Sequence, residues 1–562
     1  MTPSAETPAT AETPAAPPAA IAPDPGRTAL GIELGSTRIK AVLIDRSHAV
    51  IASGGFEWAN ELVDGVWTYA IDDVVAGLQA AYAELARDYR DRYCAALTAV
   101  GAIGISGMMH GYLPLDADGE LLTPFRTWRN TFTQESAAAL SGLFGLNIPQ
   151  RWSIAHLHHA IARGEEHVAR IARITTLAGY VHHRLTGRHV LGAGEASGVF
   201  PIGPDGRSFD AEMIAAFDRR VDAPWSLADI LPRVAVAGQD AGTLTADGAL
   251  LLDPTGALRP GTPLCPPEGD AGTGMVATNS VRPRTGSVSA GTSAFAMIVL
   301  ERPLRTMVEQ IDLVATPSGA PVAMVHSNNC TSDINAWVEV FGQFATAIGA
   351  PVERGRLFEV LLGAAADAGA SGGDGTSGTP GTASTDSTAS PGVLAFNFLS
   401  GEHLVGLAEG RPLVMRRPEG TLSLATLMRA HLFAAFASMA HGLRVLRAGA
   451  EAPIDSMFAH GGIFTTPEIP QRVLAAAFDT PVSVGATASQ GGAWGMALLA
   501  GYRLWAAGPG GPALEDYLAD VVFRDMEVTT VVPEPGQVEE YARYLAAFTR
   551  ALPVQAAAAD LF

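Results

Sequence analysis

Lysine is all but missing from this chain: of 37 basic side chains only Lys40 is a lysine. Basic residues are also in deficit against 57 acidic ones, which leaves a formal net charge of -20 and an isoelectric point near 5.1. Nucleic acids and anionic membranes require a basic face, so neither is an expected partner. Cysteine is scarce: Cys94, Cys265 and Cys330 stand far apart without CxxC spacing. That argues against a disulfide framework or a zinc site and fits buried thiols in a reducing compartment, the cytoplasm. No apolar run approaches the roughly 20 residues that a membrane-spanning helix needs. The absence of GxxxxGK[ST] removes a P-loop nucleotide enzyme, and the absence of GxGxxG after a strand removes a dinucleotide site. Histidines gather in "HLHH", from His156 to His159, and at His182 and His183. They come without HExxH or other metal spacing and are expected on helix surfaces.

What is present is globular in balance, with 48% hydrophobic and 17% charged residues over 562 positions, enough for two large domains. The opening "MTPSAETPATAETPAAPPAAIAPDPG" has neither the basic start nor the apolar core of a secretory signal, and residues 1–27 are expected as a disordered tail. The low-complexity run 366–392 is expected as a disordered surface insertion, which costs a domain little extra closure entropy. Between these, strands are expected over Leu30 to Asp45, Ala49 to Glu57 and up to Gly107, with a helix near Ile71 to Tyr89. A helical pattern runs from Pro149 to Leu185, and "GDAGTG", Gly269 to Gly274, closes the first half.

A pattern then recurs. Laid without gaps over "IELGSTRIKAVLI", Ile32 to Ile44, the segment Val288 to Leu300 reads "VSAGTSAFAMIVL", which sets Gly291, Thr292 and Ser293 under Gly35, Ser36 and Thr37. Later, "SMFAHGGI" reads as a strand entering a Gly-Gly turn and "PEIPQRVLAAAF" as the helix after it. We read an internal duplication: an N-terminal lobe, 28–278, and a C-terminal lobe, 279–562, of α/β class, facing one cleft.

The bends carry the chemistry. Backbone N–H groups at a tight turn, flanked by hydroxyls, aim several positive dipoles at one place, which suits phosphate oxygens, and two such bends on opposing lobes suit one polyphosphate. Glu33 stands opposite the apolar alternation of its strand, where a carboxylate reaches a magnesium ion directly or through water. Lys40 either neutralises phosphate charge or pairs with a carboxylate such as Glu57; both readings stand.

With these pieces placed, the sequence resembles the FGGY family of carbohydrate kinases, in the sugar kinase, Hsp70 and actin superfamily, and most closely its xylulokinase-like branch. "GIELGSTRIKAVLID" is similar to the first phosphate motif, "GISGMMHGYLPLDADGELLTPFRTWRN" to the sugar segment and "PPEGDAGTGM" to the segment with the catalytic aspartate. "SAGTSAFAMI" is similar to the second phosphate motif, "AHGGI" to the adenosine motif, and "VVPEPGQVEEYARYLAAFTRAL" to the closing helix. The resemblance implies two ribonuclease H-like, actin-like ATPase lobes around a central cleft, ATP and Mg2+ as cofactors, and a small sugar as substrate. A homodimer is left open. By the same resemblance Asp270 is the general base, Gly35, Ser36, Thr37, Gly291, Thr292 and Ser293 face phosphate, and Gly461 and Gly462 the adenosine. Asp270 is also expected beside Glu33 as a metal ligand, and Lys40 is a candidate for the phosphate site. Met109 and His110 touch an open-chain ketose, with His110 as a buried structural imidazole the alternative. Trp128 walls the sugar pocket or fills the core.

The chain departs from the family pattern at four places. Glu33 replaces aspartate, Arg129 and Asn130 follow Trp128 where Asn-Asp is usual, Met108 replaces glutamine, and Glu268 stands where a glycine is expected. A pentulose such as xylulose or ribulose is the expected acceptor. A sugar- and ATP-binding sensor with weak transfer, or an actin-like ATPase, are the alternatives.

Overall fold

The computed structural model describes residues 22–304, 307–370, 392–450, 452–485, 491–506 and 508–561. The first lobe is built on five strands, β1 (Ala29–Leu34), β2 (Arg38–Ile44), β3 (Val50–Glu57), β4 (Ala102–Gly107) and β5 (Glu268–Gly269), in the order β5-β4-β1-β2-β3. β1 to β3 form an antiparallel meander, and β4 and β5 add in parallel. β1 is buried along its length except at Glu33, which is half-buried. Helix α1 (Ile71–Tyr93) covers β3 with Val74, Leu78, Ala81, Tyr82, Leu85 and Tyr89, the three-to-four spacing of one apolar face. Asp72 and Asp73 occupy its first turn, where the helix dipole favours a negative charge. β5 leads directly into a short helix, α2 (Asp270–Ala277).

The second lobe carries β6 (Thr285–Ala290), β7 (Ala294–Val299), β8 (Asp312–Ala315), β9 (Pro321–Ser327), β10 (Ser456–His460), β11 (Val482–Gly485) and β12 (Val528–Val531), in the order β8-β9-β7-β6-β10-β11-β12. Without the two edge strands, β9-β7-β6-β10-β11 repeats β3-β2-β1-β4-β5. Each pairing has the same sense: antiparallel for β6 with β7 and β7 with β9, parallel for β6 with β10 and β10 with β11. The duplication read from the two bends therefore extends to the whole sheet. Between β9 and β10 lie α3 (Ser332–Ala347) and the long α4 (Leu424–Ala450).

One helix from the second half, α5 (Gly491–Trp505), packs against β1 of the first lobe and against α2. Two glycines make this approach physically feasible. A Cβ on Gly31 would lie 2.1 Å from the Ala493 carbonyl oxygen, and one on Gly495 would lie 2.1 Å from that of Thr273. The lobes also meet at the hairpin of β8 and β9. Ser197 Oγ accepts from the Ala315 amide at 2.9 Å, Asn147 Nδ2 donates to Asp312 Oδ1 at 2.8 Å, and Arg151 forms an ion pair with Asp312.

Several sequence expectations need correction. The helical stretch after Pro149 is two helices, Ser153–Arg163 and Leu177–Thr186, with the strand Arg173–Thr175 between them. Residues 1–21 and 371–391 of the expected tail and insertion lie outside the described residues, whereas Pro25–Arg27 form a turn capped by Asp24 and a helix runs on to Ala370. His156 and His182 are not surface histidines: both are fully buried. His156 lies parallel to Tyr112 at 6.2 Å, and His182 Nε2 bonds the Ala241 carbonyl at 2.9 Å. Burial pushes His156 down to about 3 and His182 to about 4, so both fold uncharged.

Two predictions follow from this packing. Gly495→Ala inserts a methyl against backbone and should destabilise the protein by about 2–3 kcal/mol in chemical denaturation, with both lobes affected; an unchanged midpoint would contradict the contact. The unfolded chain protonates its histidines near pH 6.5 while the folded chain does not, so stability should fall as pH drops from there toward 4. Each of the two buried rings contributes about 1.4 kcal/mol per pH unit to that slope. His156→Phe should remove one such share from denaturation curves measured across this range.

Candidate active site

Each bend has its carbonyls occupied from behind. In the first, the Gly35 carbonyl accepts from Trp58 Nε1 at 2.6 Å, the Ser36 carbonyl from Tyr69 Oη at 2.7 Å and the Thr37 carbonyl from the Trp58 amide at 3.2 Å. The Trp58 and Tyr69 rings pack at 4.4 Å, which fixes both donors. In the second, the Gly291 carbonyl accepts from the Thr331 amide at 3.1 Å and from Thr331 Oγ1 at 2.7 Å, and the Thr292 carbonyl from the Cys330 amide at 2.9 Å. With the carbonyls engaged, the amides of Ser36 and Thr37, and of Thr292 and Ser293, have no protein acceptor among the described residues. Gly461 stands beside the second bend at a φ of 123°, and a Cβ there would lie 2.0 Å from the Ala290 carbonyl, so only glycine fits. Gly462 follows it in a short helical turn closed by Thr465 Oγ1 on the Gly462 carbonyl at 2.7 Å.

A cavity of about 230 Å³ lies between the lobes, lined by Glu33, Lys40, Asp270, Ser287, His460 and Gly491 among others. β1 and β2 pair Glu33 with Lys40 in register, so both side chains rise from the same place on the sheet. Lys40 thus lines the cavity; the residue opposite Glu57 is Arg38. Glu33 Oε2 accepts from the Ala493 amide in the first turn of α5 at 3.2 Å, where the helix dipole favours a carboxylate. Burial lifts the Glu33 carboxyl above the ordinary range, Lys40 pulls it back and Asp270 adds to the rise.

Asp270 is the first residue of α2 and opens to the cavity. Its Oδ1 accepts from the Met109 amide at 3.2 Å and the Ala271 amide at 2.9 Å, which leaves Oδ2 for a ligand. Asp270 is exposed to the cavity; the mass of protein around it raises its carboxyl above the ordinary range, while those amides act in the opposite direction.

Met109 and His110 are both buried. His110 has a φ of 71°, its Nδ1 lies 3.3 Å from the Gly198 carbonyl, and its ring stacks on Trp152 at 6.3 Å. Burial, then the charge of Arg151, holds it well below the usual histidine range, so the ring is neutral. Trp128 is 42% exposed and does not fill the core. Arg129 lies over the Trp67 ring at 3.9 Å and bonds Asn60 Oδ1 at 2.8 Å. Asn130 turns inward: it accepts from the Trp67 amide at 2.8 Å and donates to the Trp67 and Thr127 carbonyls. Arg129 and Asn130 thereby tie the hairpin of Glu61–Val63 and Val66–Thr68 to their own segment. Glu268 is also buried, accepting from the Glu195 and Gly194 amides at 2.9 and 3.4 Å. Its bulk fits because residues 192 and 194 are glycines, where added Cβ atoms would lie 2.1 and 2.5 Å from its carboxylate oxygens.

Residues 28–253 match the N-terminal domain of the FGGY family of carbohydrate kinases, and residues 286–504 match its C-terminal domain. The chain belongs to the FGGY family of carbohydrate kinases. It is accordingly a sugar kinase, a phosphotransferase acting on an alcohol group. The fold is similar to that of a xylulose kinase from Brucella ovis (19% identity, 94% of this chain and 99% of that one, TM-score 0.72). It is similar also to a gluconate kinase from Lactobacillus acidophilus (16%, 94% and 98%, 0.72) and a glycerol kinase with ADP from Plasmodium falciparum (13%, 93% and 98%, 0.72). No curated protein sequence matches the chain significantly.

Several residues that build this FGGY kinase site escaped the sequence reading. Trp58 and Tyr69 hold the first bend, Thr331 the second, and His460, Gly491 and Gly492 line the cavity. The run "GGAWGMA" from Gly491 carried a legible signal, because small residues at such density mark a close helix contact. Arg151 and His326 carried none; they meet only across the lobes, where Arg151 helps hold His326 low after burial. Tyr69→Phe removes a donor from the first bend and should weaken ATP binding roughly five- to tenfold, with sugar affinity unchanged, in calorimetric titrations. Unchanged ATP binding would separate that bend from phosphate recognition.

Proposed function

We propose that this FGGY kinase transfers the γ-phosphate of ATP to a hydroxyl of a ketose, a pentulose such as D-xylulose or ribulose. The observation that carries this reading is Asp270, one carboxylate oxygen anchored by two amides and the other left for a hydroxyl, in the same cavity as Glu33 and Lys40.

Phosphoryl transfer demands alignment and charge neutralisation more than covalent chemistry from the protein. The free amides of the two bends hold the phosphates from opposite lobes, and Lys40 offsets their charge from the first sheet. Asp270 Oδ2 takes the hydroxyl proton as the sugar oxygen attacks the terminal phosphorus, and its raised pKa makes it a better proton acceptor. The Met109 amide fixes the rotation of that carboxylate. His110, neutral and buried, donates from Nδ1 to the Gly198 carbonyl and so offers the Nε2 lone pair to a sugar hydroxyl. Trp128, exposed at the segment's far end, walls the sugar.

Mg2+ fits the donor set. Magnesium keeps most of its waters and takes only one or two carboxylates beside substrate phosphates. Among the described residues no cluster of three or more metal-binding side chains exists, whereas Glu33 and Asp270 supply two carboxylates to one cavity. When bound, the ion neutralises phosphate charge.

ADP release should rise with one or more pentuloses in a sugar panel that includes gluconate and glycerol. Asp270→Asn should lower turnover roughly 10²–10⁴-fold with ATP affinity retained, because only the proton acceptor is lost. Sugar-independent turnover, or full activity in the variant, would overturn the assignment.

A further inference from the structure

We propose that His460 is a further ATP-contacting residue, donating a ring N–H from the second lobe to the terminal phosphate; the proposal rests on the reading that the cleft takes ATP. His460 is the last residue of β10 and pairs in register with Ser289 of β6. Ser289 stands two positions before Gly291, where the second bend begins. Strand pairing thus carries the imidazole to the edge of that bend. The next residue, Gly461, lies directly against the Ala290 carbonyl, which fixes the chain at this point.

The cavity has two unlike walls. Glu33, Lys40 and Asp270 line it from the first lobe, and Ser287, Phe295 and His460 from the second. A terminal phosphate entering beside two carboxylates needs donors close by, since its own charge has the same sign as theirs. Lys40 supplies them on the first-lobe side. On the facing wall the side-chain donors are the Ser287 hydroxyl and the His460 ring, and the ring reaches further from its strand.

The ring is free for this contact. Neither nitrogen of His460 bonds a protein group among the described residues, and neither is one of the enclosed polar atoms, so both remain accessible at the cavity wall. Burial holds the ring below the usual histidine range and keeps it neutral at neutral pH. A neutral imidazole carries one N–H in either tautomer, so a donor is present whichever nitrogen holds the proton. A hydrogen bond from it to a phosphate oxygen is charge-assisted and correspondingly strong.

Calorimetric titrations of the full chain with Mg2+ at about pH 8, where an ordinary histidine is also neutral, test this with ADP and a non-hydrolysable ATP analogue. His460→Ala should weaken the analogue at least about tenfold and ADP less than about twofold, and the retained ADP binding shows that the variant is folded. His460→Asn and His460→Gln return an N–H near the positions of Nδ1 and Nε2, and one of the two should recover most of the lost affinity. A crystal structure with the analogue should place a His460 nitrogen within about 3.2 Å of a γ-phosphate oxygen. Unchanged analogue binding in His460→Ala, equal losses for ADP and the analogue, no recovery in either amide variant, or a ring turned away from the γ-phosphate would each overturn the proposal. A native chain that binds neither nucleotide would instead remove the ATP reading itself, and the proposal with it. No sugar is present in the titrations, so the identity of the acceptor does not enter the result.

Discussion

The contact on which the site depends is made of backbone. Gly31 in β1 and Gly495 in α5 have no side chain where one would collide with a neighbouring main chain, so β1, α5 and α2 lie against one another at backbone separation. That closeness brings the first turn of α5 to Glu33 and the first residue of α2, Asp270, into the cavity that Glu33 and Lys40 line. Larger residues at either glycine would separate the elements, and the separation would appear as distance between carboxylates. The chemistry is thus set by packing between two halves of the chain, not by a single loop.

The second principle is how each bend is prepared for an anion. A tight turn exposes carbonyls as well as amides, and bare carbonyls repel phosphate. The carbonyls are taken by Trp58 and Tyr69 in the first bend and by Cys330 and Thr331 in the second. The two lobes share sheet order and strand sense, yet the partners differ: aromatic side chains in one, the lead-in to α3 in the other. The result is the same, free amides on both sides of a cleft in a chain whose overall charge of -20 would otherwise repel nucleotide.

Much of this was legible in the sequence because it rests on local patterns. The gap-free overlay of two strand-bend-strand segments foretold the duplicated sheets, and β1 with β2 and β6 with β7 fall where it placed them. Asp270 was readable from its glycine-rich setting and its motif. What stayed hidden depends on long-range contact. Buried His156 and His182 read as surface residues, since a histidine's letter says nothing of the rings around it. The sequence gives no sign that Asn130 turns inward to the Trp67 backbone, a contact 63 residues away along the chain. Strand register sets Lys40 opposite Glu33 and Gly55 rather than Glu57, a pairing that no local pattern carries. The Arg151, Asp312 and His326 group near His110 assembles only when the lobes meet, so no local pattern shows it.

The central claim is that both bends grip one triphosphate and aim its terminal phosphorus at a hydroxyl beside Asp270. A crystal structure with a non-hydrolysable ATP analogue and a bound pentulose tests this most directly. The account predicts phosphate oxygens on the Ser36 or Thr37 amides and on the Thr292 or Ser293 amides, with one sugar hydroxyl on Asp270 Oδ2. A nucleotide held by one bend alone, or a sugar whose hydroxyls all lie beyond hydrogen-bond reach of Asp270, would contradict it.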